Sequence, residues 1–493
     1  MRKAFEIQGR FDCPAIQDVQ LNHNCRDEII PILEALKYIH NRSTLREKIL
    51  DLIAQDVNGK TNRNRGRPGM DYWQIMVLSA VRLGCDLDYD KLQDLAEQHQ
   101  ALRGIMGIGD WTLKQFDWRR INENLLHVKS ETMREISQLV GLAGHQLLPE
   151  AAKAVRGDSF VVETNIHYPT ESSLIGDGLR KILKLAPELA ELLNAKGWRQ
   201  HKYLQKKCKK ALRKINKITA SKGKGYQAKL KGAYKSLLQM AKNILKKAEE
   251  LKKTALHHLQ SCPWSMDGVE ALNKQMQYFM EGTEQVCDLA NRRVFQGEKI
   301  PVEEKLFSLF EPHTELINRG KTPNPIEFGH RIFVLEDAAG FIIYHKVMAK
   351  GEQDRDVVIP AMKQVQEQLG GKIKRASFDR GFHSPENQRD LQIIVEHPCI
   401  AAKGKHKEEQ QEKQATVEFR RARKSHPGIE SAIGALQRGN GMKRCRDRHY
   451  TGYERYVALG CLGRNLHKLG QLLISQANDE AIAGKSKRQS IAV

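Results

Sequence analysis

The chain has 493 residues, enough for two or three domains at about 150 residues each. Lys and Arg outnumber Asp and Glu by 81 to 59, a formal charge of +22 that points to a polyanionic partner, nucleic acid above all. Hydrophobic residues at 40% exclude a wholly disordered chain, and aromatics at 6% argue against a large β-sandwich or barrel.

No apolar run approaches the roughly 18 residues of a membrane span, so no membrane partner is expected. The opening Met1–Ile7 is basic with no apolar stretch behind it, so no secretory signal is read there. The nine cysteines are scattered and none forms Cys-x-x-Cys, which fits a reducing cytosol better than a disulfide framework or a zinc ribbon.

Residues 1–150 read as a compact bundle of short helices. Ile75, Leu78, Val81 and Leu83 begin one apolar face, and Leu92, Leu95 and Ala96 continue it. Gly104, Gly107 and Gly109 interrupt the pattern before a helix carrying Phe116, Trp118, Ile121, Leu125 and Val128. Such a unit can dock a helix in a DNA groove, or serve as a dimerisation module. Before it, Arg65-Gly66-Arg67-Pro68 is a slim basic segment. Arg65 and Arg67 are candidates for a narrow minor groove, and the alternative is a basic linker.

A β-like block follows, Asp158–Thr164. The next stretch, about 178–320, is helix-forming, and residues 201–260 hold 18 Lys and Arg against two Glu. Apolar residues at three- and four-residue spacing, from Leu230 to Leu251 and from Val269 to Ala290, predict two long helices packed as an antiparallel hairpin. Residues 221–225 read as a turn between helices. Lys206, Lys207, Lys209 and Lys210 are candidates for phosphate contact, set against a merely solvated helix face.

His330–Glu336 and Phe341–Val347 are β-branched and aromatic runs joined by Asp337-Ala338-Ala339-Gly340, a hairpin pattern. A helix over about 356–369, a short strand ending at Phe378-Asp379, a polar loop over 397–427 containing Lys403–Lys407, and helices from Ile429 and from about Gly452 complete the chain. The fold class is α/β with a large helical insertion.

Phosphodiester chemistry on two metal ions needs hard carboxylate oxygens converging from different elements. Asp158 sits in an apolar strand, where an unneutralised carboxylate is costly. Glu163 is its rival, but an offset of five residues puts it on the opposite face of a regular strand. Asp379 ends a strand just before Arg380-Gly381-Phe382, the place where α/β sheets hold ligands. Glu430 opens an amphipathic helix behind Arg420, Arg421, Arg423 and Lys424, where it also suits the helix dipole. The histidines form no compact metal pattern, and no phosphate-binding P-loop sequence appears.

At these residues the chain resembles the DDE-type transposases of bacterial insertion sequences, which have an RNase H-like catalytic core. Four stretches carry the resemblance: Asp158–Ser173, Arg319–Pro323 with Glu327–His330, Ser377–Ser384, and Gly428–Leu436. With the helical N-terminal region and Gly66-Arg67-Pro68, it spans most of residues 60–470. Carried over, Asp158, Asp379 and Glu430 are the catalytic carboxylates and the ligands of two Mg²⁺ ions, with Mn²⁺ able to substitute. The resemblance implies hydrolysis at the element end, then in-line attack of the freed 3′-hydroxyl on target DNA. Arg380, His383 and Arg423 would position scissile phosphates, the N-terminal helices would read terminal inverted repeats, and the Lys-rich insert would clamp the DNA backbone. Some relatives have Tyr and Arg seven and four residues before the Glu and Lys seven after it; here those positions are Arg423, His426 and Gln437.

The expected layout is an all-α DNA-binding domain over 1–150, an RNase H-like core over 151–177 and 323–475, a Lys-rich insertion over 178–322, and a flexible tail over 476–493. Joining two element ends implies a homodimer or a higher synaptic complex, in a bacterial cytoplasm at the nucleoid. Two other functions fit the same residues: a metal-dependent nuclease or resolvase without strand transfer, and a non-catalytic nucleic-acid-binding protein derived from a transposase.

Overall fold

The computed structural model describes residues 2–5, 11–59, 69–112, 115–221, 223–261, 266–320, 325–401 and 414–491. The chain divides into two compact units, Met1–Asn165 with Gly329–Val493, and Ile166–Phe328. The first unit is mixed α/β and the second mostly helical. The expected insertion boundaries at 178 and 322 thus fall inside the second unit.

In the first unit, helices α1 (Ile29–Asn41), α2 (Ser43–Asn58), α3 (Tyr72–Gly84), α4 (Tyr89–Gln98), α5 (Gln100–Ile105), α6 (Trp118–Leu126) and α7 (Ser130–Leu147) precede strand β1 (Ala154–Glu163). Asp88 and Asp117 cap α4 and α6 by accepting from free backbone N–H groups. Every residue of α3 is buried, so this helix cannot lie in a DNA groove. It packs beneath the long C-terminal helix (His449–Ile491, α16 below), as do α1 and α7. Gly84 and Gly463 approach closely: a Cβ on Gly463 would lie 2.7 Å from the Gly84 backbone nitrogen.

Residues 1–165 therefore share one hydrophobic core with residues 329–493, and the helical N-terminal region is not a compact unit of its own. Buried polar links join the halves, among them those of Arg82 and Asn465. Arg82 of α3 donates two hydrogen bonds to Asp447, both side chains being buried, and stacks 4.1 Å from the Tyr89 ring. Asn465 donates to the Ser137 side chain and the Ile342 carbonyl and accepts from the Ile342 N–H, so its amide is satisfied on both sides.

The second unit contains α8 (Glu171–Leu192), α9 (His201–Ser221), α10 (Tyr226–Ser261), α11 (Met266–Asn291) and β2 (Glu315–Asn318). Thr170 and Ser173 form a reciprocal capping box that starts α8. The apolar stripes of α10 and α11 do pack together, and both also pack on α8. Leu237, Ala241, Ile244, Ala248 and Leu251 of α10 are buried, as the helical spacing required.

The chain returns through β3 (Ile326–Asp337), which neighbours β2 and whose first residues belong to the second unit. There follow β4 (Ile342–Val347), α12 (Asp354–Gln368), β5 (Arg375–Phe378), α13 (Pro385–Ile394), β6 (His397–Ile400), α14 (Val417–Ser425), α15 (Gly428–Gly439) and α16 (His449–Ile491). The stretch read as a loop over 397–427 thus contains a strand and a helix; Lys403–Lys407 lie outside the described residues. The tail expected over 476–493 continues α16 as far as Ile491.

In the first unit the sheet runs β4-β3-β1-β5-β6. β1, β3 and β4 are antiparallel neighbours, while β5 and β6 join in parallel beside β1. Ile332–Leu335 are all buried, because helices cover both faces of this central strand. His345 of β4 is also buried, and burial, with Arg134 nearby, pushes its pKa down to about 3. The unfolded chain binds this proton near the ordinary histidine pKa of about 6.5 and the folded chain does not, so stability falls as pH drops through that window. Wild type should lose about 2 kcal/mol at this position between pH 7 and 5, and His345→Gln should lose less. Urea melts at the two pH values check this; equal losses would remove His345 as the cause.

Candidate active site

The register of β1 and β5 fixes the centre of the site. Arg156 lies opposite Ser377 and Gly157 opposite Phe378 in a parallel ladder. Asp158 is the next residue of β1, and Asp379 is the first residue past the end of β5, so the two acids directly follow the last pair of the ladder. Asp158 is half-buried and its carboxylate accepts from the Ser159 N–H at 2.7 Å. Ser159 points its hydroxyl to Asp354 at the start of α12.

The corner between α14 and α15 closes over this face. Arg156, two residues before Asp158 and on the same side of β1, donates to Glu336 at 2.6 Å and to the Ser425 carbonyl at 3.0 Å. Its guanidinium fills the space where a Cβ on Gly428 would sit, so a larger first residue of α15 would push Arg156 off these partners. α15 packs against β1 through a face that buries Ile429, Ala432 and Leu436. Glu430 stands exposed in the first turn of that helix.

His426 is the feature that sequence reasoning did not assign. Its Nε2 lies 3.0 Å from Asp379 Oδ1 and its Nδ1 lies 3.2 Å from Ser377 Oγ. With the carboxylate as acceptor, Nε2–H donates to Asp379 and Nδ1 accepts from the serine. This hydrogen bond holds the Asp379 carboxyl below the usual range; partial burial opposes it, and Arg423 adds attraction. Asp379 is therefore kept ionised and aimed by a residue four positions before Glu430. The one signal in the sequence was the position itself, where some transposases carry Arg.

No family model, curated protein or solved structure matches the chain.

Among the described residues, no three His, Cys, Asp or Glu side chains are gathered as a ready-made metal cage. Asp158 and Asp379 each follow the last pair of the β1–β5 ladder, and the helix carrying Glu430 packs on β1, but the three carboxylates are not closed on one point. Glu163, the rival of Asp158, is bound by Arg444 at 2.7 Å. Arg380 is exposed beside Asp379 in a short turn, His383 ends that turn half-buried, and Arg423 is exposed on α14. Arg65 and Arg67 lie outside the described residues. Lys206, Lys207, Lys209 and Lys210 are all exposed on α9 around the buried Cys208. Among the described residues of 201–260, Lys252 is the one cation paired with an acid, Glu249, at 2.9 Å.

Proposed function

We propose that this protein is a DNA transposase that cleaves element ends and transfers the strand to target DNA, using Asp158, Asp379 and Glu430 with Mg²⁺. The observation that carries the reading is that Asp158 and Asp379 directly follow the last paired residues of parallel strands β1 and β5, and that the helix with Glu430 in its first turn packs on β1. An RNase H-like core is the fold that the sheet supports, with an antiparallel meander of three strands and two more joined in parallel beside the first.

The donor set suits a hard divalent cation, because it offers carboxylate oxygens from two strands and a helix. Asp158, Asp379 and Glu430 would hold two ions of Mg²⁺, or Mn²⁺ in its place. When bound, the metal would act as a Lewis acid on the attacking and leaving oxygens of the phosphodiester. The chain's own residues do the rest. His426 and Arg423 keep Asp379 deprotonated, and Arg380 and Arg423 offer exposed guanidinium groups to phosphate oxygens on the same side. His383 is the third candidate for that positioning role.

The unpaired lysines of α9 support a DNA-backbone contact for the second unit. Replacing Lys206, Lys207, Lys209 and Lys210 with Gln should flatten the slope of log affinity against log salt by up to about 3–4 units, with sequence preference unchanged. An unchanged slope in a salt titration would leave that face merely solvated. On this reading the protein acts at terminal inverted repeats as a homodimer or larger synaptic complex.

The test is a strand-transfer assay in Mg²⁺ with the gene's own flanking DNA as donor, scoring cleaved ends and joined products separately. Joined products support the transposase. Cleavage without joining favours a nuclease or resolvase. DNA binding with neither product, repeated in Mn²⁺, favours a non-catalytic binding protein.

A further inference from the structure

A cavity of about 250 Å³ opens in the first unit between α14 and the starting ends of β1 and β5. None of the three candidate carboxylates lines it. Arg156, Arg375 and Arg421 do, from three different elements, together with Ser377 and Ser425. Arg156 is already held, by Glu336 and the Ser425 carbonyl. Among the described residues, Arg375 and Arg421 have no acidic partner. Among the described residues of the wall the one carboxylate is Asp337, fully buried and committed: it accepts from His145 at 2.6 Å and from the Ala339 and Phe341 N–H groups.

Positive charge also accumulates behind the wall. Burial lowers the Lys468 amine, and the neighbouring Arg464 lowers it further, against the opposing pull of Glu336 and Asp337. Arg464 is lowered by burial and by Arg156, with Glu336 opposing, and its Nε is buried without a hydrogen-bond partner. Among the described residues, five cationic side chains thus line or back the cavity beside two acids, one of which already accepts from two backbone N–H groups and a histidine. A structure built only to be stable would not gather mutually repelling cations around an open cavity.

We propose that this cavity binds a phosphate group, gripped by the Arg375 and Arg421 guanidiniums with Arg156 as a fixed third. The planar fork of arginine matches phosphate oxygens in pairs, which favours phosphate over a spherical anion. Two sources share this chemistry. One is a free small phosphate. The other is the backbone of a DNA strand, since Arg156 and Asp158 are two residues apart on one face of β1, about 6.6 Å along the strand. The cavity's affinity for phosphate does not require the carboxylates to be catalytic.

The experiment uses the full chain and inorganic phosphate. Phosphate should raise the melting temperature by about 2 °C or more beyond chloride at matched ionic strength. Arg375→Ala should lose that excess while melting at the wild-type temperature in chloride. Arg421→Gln, at an exposed position where folding is not at risk, should lose it as well. No excess over chloride overturns the proposal, and so does an excess that survives in both variants. A second arm asks for the source. If phosphate displaces a labelled short DNA from wild type but not from Arg421→Gln, the pocket serves a DNA strand. If phosphate stabilises the protein without displacing DNA, the ligand is a free phosphate.

Discussion

Asp379→Ala should lower both strand cleavage and joining at least about a thousandfold while leaving DNA affinity within a few-fold. The size follows from the chemistry: metal stabilisation of the charge that develops on phosphodiester oxygens amounts to several kcal/mol, and each 1.36 kcal/mol is tenfold in rate. Binding should survive because the carboxylate is one negative charge among many cations, and its removal weakens no phosphate contact. The side chain is exposed at the end of β5, so its loss leaves no cavity. Single-turnover assays on pre-cleaved and uncleaved donors would separate the two steps. Wild-type rates in the variant would remove Asp379 from the site. Loss of joining alone would mean that cleavage is carried out elsewhere.

Asp447→Ala should destabilise the first unit by about 3–5 kcal/mol. The change strands the buried Arg82 guanidinium, whose charged form burial disfavours and Asp447 favours. An unpaired buried cation costs far more than the intact pair contributes. The Tyr89 and Tyr456 rings at 4.1 and 5.6 Å can only partly compensate. Combining Asp447→Ala with Arg82→Met should recover part of the loss, because the second change removes the stranded charge. Denaturant melts of the two single variants and the double variant test this; a loss under 1 kcal/mol in Asp447→Ala would show that the pair does not hold the helices to the core.

Parts of this fold were legible before any coordinates. The β3–β4 hairpin was plain, because β-branched runs flank a turn whose Gly340 adopts φ +92°. The α10 and α11 stripes were plain because helical spacing persists over many turns. β6 was hidden, since His397–Ile400 is only four residues within a polar stretch and draws its stability from the parallel ladder with β5. The early part of β1 was hidden too: Arg156-Gly157 does not look like a strand until Arg156 meets Glu336 and Gly157 lies against Phe378 and Leu335.

The shared core of the N-terminal helices and α16 was not legible at all. Periodicity tells which face of a helix is apolar but not which distant face it meets. The three acids could be picked out as types at strand and helix ends, but their alignment depends on the β1–β5 register, and that is set by long-range pairing. His426 was noticed only as a departure from a pattern. Its link to Asp379 arises because the α14–α15 corner folds back over β5.

The chain leaves the first unit after β1 and re-enters it on β3, and these crossings are paired neighbours: Glu163 lies opposite Gly329 in the ladder. Glu163 is further anchored by Arg444 and by backbone bonds to Lys443 and Cys445. The second unit is thus spliced into what would otherwise be an ordinary hairpin. A two-residue Asn-Gly turn in place of residues 164–328 would close the ladder between Glu163 and Gly329. Loss, exchange or transplantation of this module is then topologically simple, and its basic surface can diversify without disturbing the sheet that carries the acids.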